Sequence, residues 1–348
     1  MWVDIPGRRI GDGSPCFLVA EIGINHNGDL GLARRLCEEA AKAGADGVKF
    51  QNYRTEDFLS DRSLTYTYRS QGELVTESQW EMFKRCEAGP GWLVELKHHC
   101  DRLGIAFFST PTSAEGVGEL VDAGAPLIKN GSDYLTHVPL LEDMGRTGVP
   151  VIVSTGMADL EDVDQAVAAV RRGGRSALML LHCTSAYPTP LEAVNLRRML
   201  SLRQRYGVPV GFSDHTEGWE AAAQAVTLGA SLIEKHFTLS HDLPGPDHWF
   251  SSTPEEFGEL VRRVREAEQR MGSAIIAPAA QEQAARREYR LSTVAVDDLP
   301  AGSLLSPGMV AFRRPGGGIL PRDLPEFLGR RLARAVPKGT PLTPADCD

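Results

Sequence analysis

From residue 17 to residue 238, short apolar runs rich in β-branched residues alternate with stretches whose apolar positions recur every three or four residues. Strand and helix signals therefore take turns along the chain. The strand-like runs are 17–25, 47–52, 105–110, 127–132, 149–155, 177–184, 209–215 and 232–238, eight in all. Between them, 30–45, 92–104, 114–125, 160–174, 191–207 and 218–230 have helical periodicity, and several end in Gly or Ala-Gly where a helix C-cap and tight turn belong. A further helix is expected over 253–271. It is opened by Thr253-Pro254-Glu255-Glu256, a capping box with proline at the first helical position. Eight strands alternating with helical segments predict an α/β fold closed into a parallel (β/α)8 TIM barrel ringed by helices.

The texture changes after the last helix. Residues 274–290 are rich in Ala, Gln, Glu and Arg, and read as a linker between a barrel domain, 1–273, and a small domain, 291–348. The small domain is punctuated by Pro300-Ala301-Gly302, Pro307-Gly308 and Pro315-Gly316-Gly317-Gly318, so it is loop-rich and short of core. Composition narrows the function classes. The 348 residues carry 37 Lys+Arg against 46 Asp+Glu, a net charge of −9, which is the wrong sign for a nucleic-acid binder. The opening MWVDIPGRRI has no apolar signal region, and no stretch approaches the ~18 apolar residues of a membrane span, so a cytoplasmic protein without membrane contact is expected. Six scattered cysteines without a CxxC pair read as reduced thiols.

In a barrel of this class the carboxyl ends of the strands carry the active site, and here all eight ends are polar. Lys49 and Lys129 interrupt apolar strands, where an ammonium is costly unless an anion or a carboxylate pairs with it. Ser109, Thr110, Ser132 and Ser154 add hydroxyl donors at the same rim, so a phosphate and a carboxylate would be well received. Glu21, also inside an apolar strand, is either a partner for Lys49 or a general base with a raised pKa. His215 and His236 end adjacent strands and share a face with Ser213 and Glu234 respectively. Spacing alone leaves them as two ligands of one metal ion or as two hydrogen-bonded histidines without one.

These residues sit in motifs that resemble the N-acetylneuraminate synthase family, which includes the legionaminic and pseudaminic acid synthases: AEIGINHNGD, AGADGVKFQ, FFSTPTS, LIKNGSDYLTHVPLL, STGMA, HCTSAYPTP, GFSDHTEG, EKHFT and GPDHWFSSTPEEF. Near the end, RRPGGGI and LARAVPKGTPL resemble the antifreeze-like SAF domain, a β-clip. The resemblance implies that phosphoenolpyruvate condenses with the open-chain aldehyde of an N-acetylmannosamine-like aldose to give a nine-carbon 2-keto-3-deoxy acid and phosphate. It implies a divalent metal at His215 and His236, typically manganese, with magnesium or cobalt as alternatives. Lys49, Thr110, Lys129, Ser132, Ser154 and Ser213 match phosphoenolpyruvate contacts, and Ser185 stands where the sialic acid synthases carry asparagine. Glu21, with Lys49 and Lys129, matches the catalytic set. Gln51, Tyr187 and Asp247 match positions near the sugar, and Arg314 matches an arginine that reaches the partner subunit's site in a domain-swapped homodimer. The nearest rival function is a 3-deoxy-sugar-acid phosphate synthase with a phosphorylated or non-amino acceptor. An aldolase is a rival of the same barrel class, and a non-enzymatic role, with the antifreeze-like segment binding ice or a partner, is a rival of another class.

Overall fold

The computed structural model describes the whole chain, Met1 to Asp348. It consists of two compact units, Met1–Gly272 and Ser273–Asp348. The first begins with an antiparallel hairpin, β1 (Trp2–Ile5) and β2 (Arg8–Gly11). The strands β3 (Phe17–Gly23) and β4 (Gly47–Asn52) follow, then a second antiparallel hairpin, β5 (Thr65–Ser70) and β6 (Glu73–Ser78). Six more parallel strands complete the set: β7 (Ala106–Pro111), β8 (Ile128–Asn130), β9 (Val151–Ser154), β10 (Leu178–Cys183), β11 (Val210–Asp214) and β12 (Leu232–His236). Strand β12 pairs back onto β3, closing an eight-stranded barrel, as the alternation predicts.

Strand parity sorts the core into two layers. Leu18, Ala20, Val48, Phe50, Phe107, Ile128, Val153, Leu180, Phe212 and Ile233 face outward and pack with the surrounding helices. Their neighbours Phe17, Val19, Phe108, Leu127, Ile152, Met179, Leu181 and Leu232 fill the lower interior together with Ile5 and Ile10 of the first hairpin. The hairpin is therefore the floor of the barrel. Continuing the inward parity up each strand brings Glu21, Lys49, Thr110, Lys129, Ser154, Cys183, Ser213, Glu234 and His236 into the upper interior. The apolar lower layer and the polar upper layer are one alternating pattern read from bottom to top.

The capping box at Thr253 forms on the helix Pro254–Met271: Thr253 Oγ1 accepts from the Glu256 N–H, and the Glu256 carboxylate accepts from the Thr253 N–H. Some expectations change. The stretch 191–207 is a 3-10 turn, Leu191–Ala193, followed by a helix, Arg198–Tyr206, the two separated by Asn195 with φ of 50°. A helix over Val138–Arg146, without a counterpart among the sequence-predicted segments, links β8 to β9.

In the second unit, a short helix, Gln283–Tyr289, lies within the stretch read as a linker. It buries none of its residues, so it leaves no apolar periodicity in the sequence. Strands β13 (Ser292–Ala295) and β14 (Val310–Arg313) pair antiparallel. The core is small: Ala295, Leu299, Leu305, Ile319, Leu324, Leu332, Val336 and Leu342.

Candidate active site

The upper interior of the barrel holds two buried Lys–Glu pairs. Glu21 and Lys49 are register partners on β3 and β4, and Lys49 Nζ lies 2.7 Å from Glu21 Oε1. Lys49 Nζ also donates to Thr110 Oγ1 at 3.0 Å, and Gln51 Nε2 donates to Glu21 Oε1 at 3.1 Å. The second pair joins Lys129 Nζ to Glu234 Oε1 at 3.2 Å, with Ser213 Oγ donating to the same oxygen at 3.0 Å. The alternatives offered by the sequence for the lysines thus resolve in part: each has a carboxylate partner, and each retains further donor capacity. Buried atoms without a partner mark where a polar ligand fits. They include Glu21 Oε2, Glu234 Oε2 and Ser154 Oγ. Ser109, expected at the rim, is instead paired with the outward-facing Phe50 and so lies on the helix side of the wall.

The pairs differ in charge preference. Burial pushes the Glu21 carboxyl up to about 7, against the pull of Lys49, with the Glu234 charge adding to the rise. Burial also works against Glu234, but Lys129, Lys49 and the Ser213 hydroxyl outweigh it and hold that carboxyl below its usual range. Two neighbouring carboxyls whose pKa values are driven apart suit separate tasks, one exchanging protons and one remaining ionised.

His215 and His236 stand beside the second pair. Ser213 Oγ lies 3.3 Å from His215 Nε2, but its one proton goes to Glu234, so that nitrogen keeps its lone pair. His236 is the register partner of Glu21. The two ring centroids are 5.6 Å apart. His215 Nδ1 donates to the Thr184 carbonyl at 2.8 Å, which leaves Nε2 as the lone-pair nitrogen. His236 Nδ1 is buried without a hydrogen-bond partner, 3.7 Å from the Asp247 carboxylate. Burial lowers the pKa of both rings, so both are neutral at neutral pH, the form that binds metal. Two neutral imidazoles, one with an orphaned nitrogen, fit a divalent ion. No set of three or more His, Cys, Asp or Glu converges in ion-holding geometry, so the rest of such a coordination sphere would come from water or substrate.

An aromatic edge flanks the histidines. The Tyr187 ring lies 4.2 Å from His215 and 5.3 Å from Phe250, and Phe250 lies 5.2 Å from His236. Burial pushes the Asp247 carboxyl up to about 7. The β5–β6 hairpin borders this edge through a Ser70 Oγ contact to the Gly245 N–H and the Arg69 guanidinium over Trp249. Ser132 and Ser185 line the wall around Gly156. Arg314 belongs to the second unit, where its guanidinium lies 5.2 Å over the Tyr289 ring. Two residues of the mouth, Glu234 and Cys183, were not among the sequence-selected site residues. For each, parity within its strand was the available signal.

The NeuB family model matches residues 36–276, and the SAF domain model matches residues 292–347. The chain is 42% identical over 330 residues to an uncharacterized protein of Methanocaldococcus jannaschii, spanning 95% of this chain and 94% of that protein. It is 38% identical over 316 residues to the N,N'-diacetyllegionaminic acid synthase of Campylobacter jejuni, spanning 90% of this chain and 95% of that enzyme. The crystal structure of the N-acetylneuraminic acid (sialic acid) synthetase from Leptospira borgpetersenii superposes with a TM-score of 0.74 at 32% identity, covering 82% of this chain and 95% of that one.

Proposed function

The chain belongs to the NeuB family, and on that footing we propose that it is a nonulosonic acid synthase, condensing phosphoenolpyruvate with an N-acetylmannosamine-like aldose to give a nine-carbon 2-keto-3-deoxy sugar acid and phosphate. The observation that carries this reading is the single polar mouth in which both Lys–Glu pairs and both neutral imidazoles meet.

Lys49 and Lys129, with Thr110, Ser132, Ser154, Ser185 and Ser213, bind the phosphate and carboxylate of phosphoenolpyruvate and hold its third carbon toward the aldehyde. Gln51, Tyr187 and Asp247 orient the sugar. A divalent ion, manganese or else magnesium or cobalt, held by His215 and His236, supplies Lewis-acid polarisation of the aldehyde when bound. As the carbon–carbon bond forms, positive charge develops at carbon two of the enolpyruvate, beside the ionised Glu234. Water adds at that carbon and gives one proton to Glu21, which balances the proton taken up by the former aldehyde oxygen; the second leaves with the phosphate. The resulting tetrahedral centre breaks its bond to the phosphate oxygen, leaving the ketone.

Phosphate release with a panel of acceptors tests the reading: turnover with unphosphorylated 2-acetamido hexoses supports it, and turnover confined to phosphorylated or non-amino sugars would move the chain to the rival synthase class. In labelled water the label is expected at carbon two of the product. Label in the phosphate would exclude this route.

If Glu21 receives the water proton, it must be ionised to work. With its carboxyl pushed up to about 7, kcat is expected to fall about tenfold per pH unit below that value and to level off above it. Glu21→Gln should lower kcat and abolish the acidic limb. An unchanged limb in that variant would assign it to another group.

We further propose a domain-swapped homodimer in which Arg314 of one copy reaches the sugar end of the other. Arg314→Ala is then expected to raise the acceptor KM by roughly tenfold or more while leaving phosphoenolpyruvate affinity within about twofold. Equal loss of both affinities would remove the role.

A further inference from the structure

Gly156 follows β9 in the wall of the mouth. A β-carbon built on it would come within 2.5 Å of Ser185 Oγ, 2.7 Å of Ser132 Oγ and 2.8 Å of Cys183 Sγ. Three side-chain heteroatoms from two strand ends therefore crowd a point that only glycine leaves open. Two contacts within this cluster decide what one of them can do. Gly156 donates its N–H to Ser132 Oγ at 3.0 Å, and Cys183 Sγ lies 3.2 Å from the same oxygen.

Cys183 is the inward-facing end of β10, paired in register with Ser213. Its thiol is buried, and burial pushes its pKa up, so it carries a proton at neutral pH. A serine hydroxyl has one proton to give and two lone pairs to fill. With the Gly156 N–H on one lone pair and the Cys183 S–H on the other, donation is the only capacity left to Ser132. The opposite arrangement, with the Ser132 proton turned toward sulfur, would present a lone pair to any anion in the cup. Sulfur is a weak acceptor, so it competes poorly for that proton.

We propose that Cys183 is a positioning residue of the anion site: together with the Gly156 N–H it commits the Ser132 hydroxyl to donating to an oxygen of bound phosphoenolpyruvate. This rests on the reading of the cup as a phosphoenolpyruvate site. It deepens that reading by assigning a task to a thiol to which the proposed reaction gives no other role. Gly156 is then required for its missing side chain as much as for its N–H.

The test is calorimetric titration of the full chain with phosphoenolpyruvate, alongside steady-state kinetics, for the wild type and for Cys183→Ser and Cys183→Val. Serine keeps a donor at this position; valine keeps the bulk and removes the donor. Cys183→Ser is expected to bind within about twofold of wild type, and Cys183→Val to bind roughly three- to tenfold more weakly, the worth of one modest hydrogen bond. The acceptor KM should not move in either. If valine crowds the wall and lowers the thermal midpoint, Cys183→Ala carries the same comparison. Binding by the valine and alanine variants equal to wild type, or weakening in the serine variant equal to that in valine, would reduce Cys183 to packing and overturn the proposal. Absence of phosphoenolpyruvate binding in the wild type would instead bring down the functional reading, and this inference with it.

Discussion

Lys129→Met is expected to lower kcat/KM for phosphoenolpyruvate by about three orders of magnitude, the usual cost of removing a fixed charge from a developing oxyanion or phosphate site. The substitution has a second consequence, because Lys129 is also the partner of Glu234. Removing the ammonium leaves a carboxylate at the barrel axis with only Ser213 to donate to it. Stranding one member of a buried pair costs about 3–5 kcal/mol, so the single variant should also melt at a lower temperature. The double variant Lys129→Met with Glu234→Gln separates the two effects. It carries no stranded charge, so its thermal midpoint should recover most of the loss while its turnover stays low. Recovery of turnover along with stability would mean that Lys129 serves only to neutralise Glu234, and phosphoenolpyruvate would need another cation. Lys49→Met is expected to follow the same pattern through Glu21, with one difference: Glu21 has Gln51 beside it and a carboxyl already pushed up to about 7, so it can take up a proton when the ammonium is removed, and the stability loss should be smaller.

Much of this site is legible in the sequence because each barrel strand announces its own parity. Once Phe17 and Val19 are taken as interior, Glu21 has to be interior, and the same step places Lys49 between Val48 and Phe50, and Lys129 after Ile128. The limits have equally local causes. Cys183 ends the run LMLLHC and reads as core; parity with Met179 and Leu181 turns it inward, and its register with Ser213 sets it at the level of the mouth. Glu234 shares a face with His236 in the sequence, but its bond to Lys129 depends on two strands that are not neighbours in the barrel. The β5–β6 hairpin is largely exposed, so no apolar alternation marks it, and it is recognised through its contacts with Gly245 and Trp249. The barrel floor was hidden for another reason. A four-residue strand such as β1 is too short for periodicity to separate it from a loop.

Exhaustive chelation is expected to abolish turnover, and manganese to restore it. The basis lies in the hydrogen-bonding account of the two imidazoles. A buried ring nitrogen without a partner carries a desolvation cost of about 1–3 kcal/mol, and His236 Nδ1 is in that position. His215 has solved half of the same problem: its Nδ1 donates to a backbone carbonyl, fixing the tautomer and directing Nε2 into the mouth. Burial keeps both rings neutral, so each has a lone pair to offer where no protein proton meets it. With only two protein ligands, losing one should matter more than losing an outer-shell contact, which alone typically costs 10–100-fold in metal affinity. His236→Ala is therefore expected to weaken manganese binding by at least about 100-fold, read by electron paramagnetic resonance of the free ion and independently of turnover. Phosphoenolpyruvate binding to the metal-free protein should largely persist, because its proposed contacts are the lysines and hydroxyls. Full turnover in rigorously metal-free protein, or unchanged manganese affinity in His236→Ala, would leave the two histidines as hydrogen-bonding groups of the wall and would require Tyr187, Asp247 or the lysines to polarise the aldehyde without an ion.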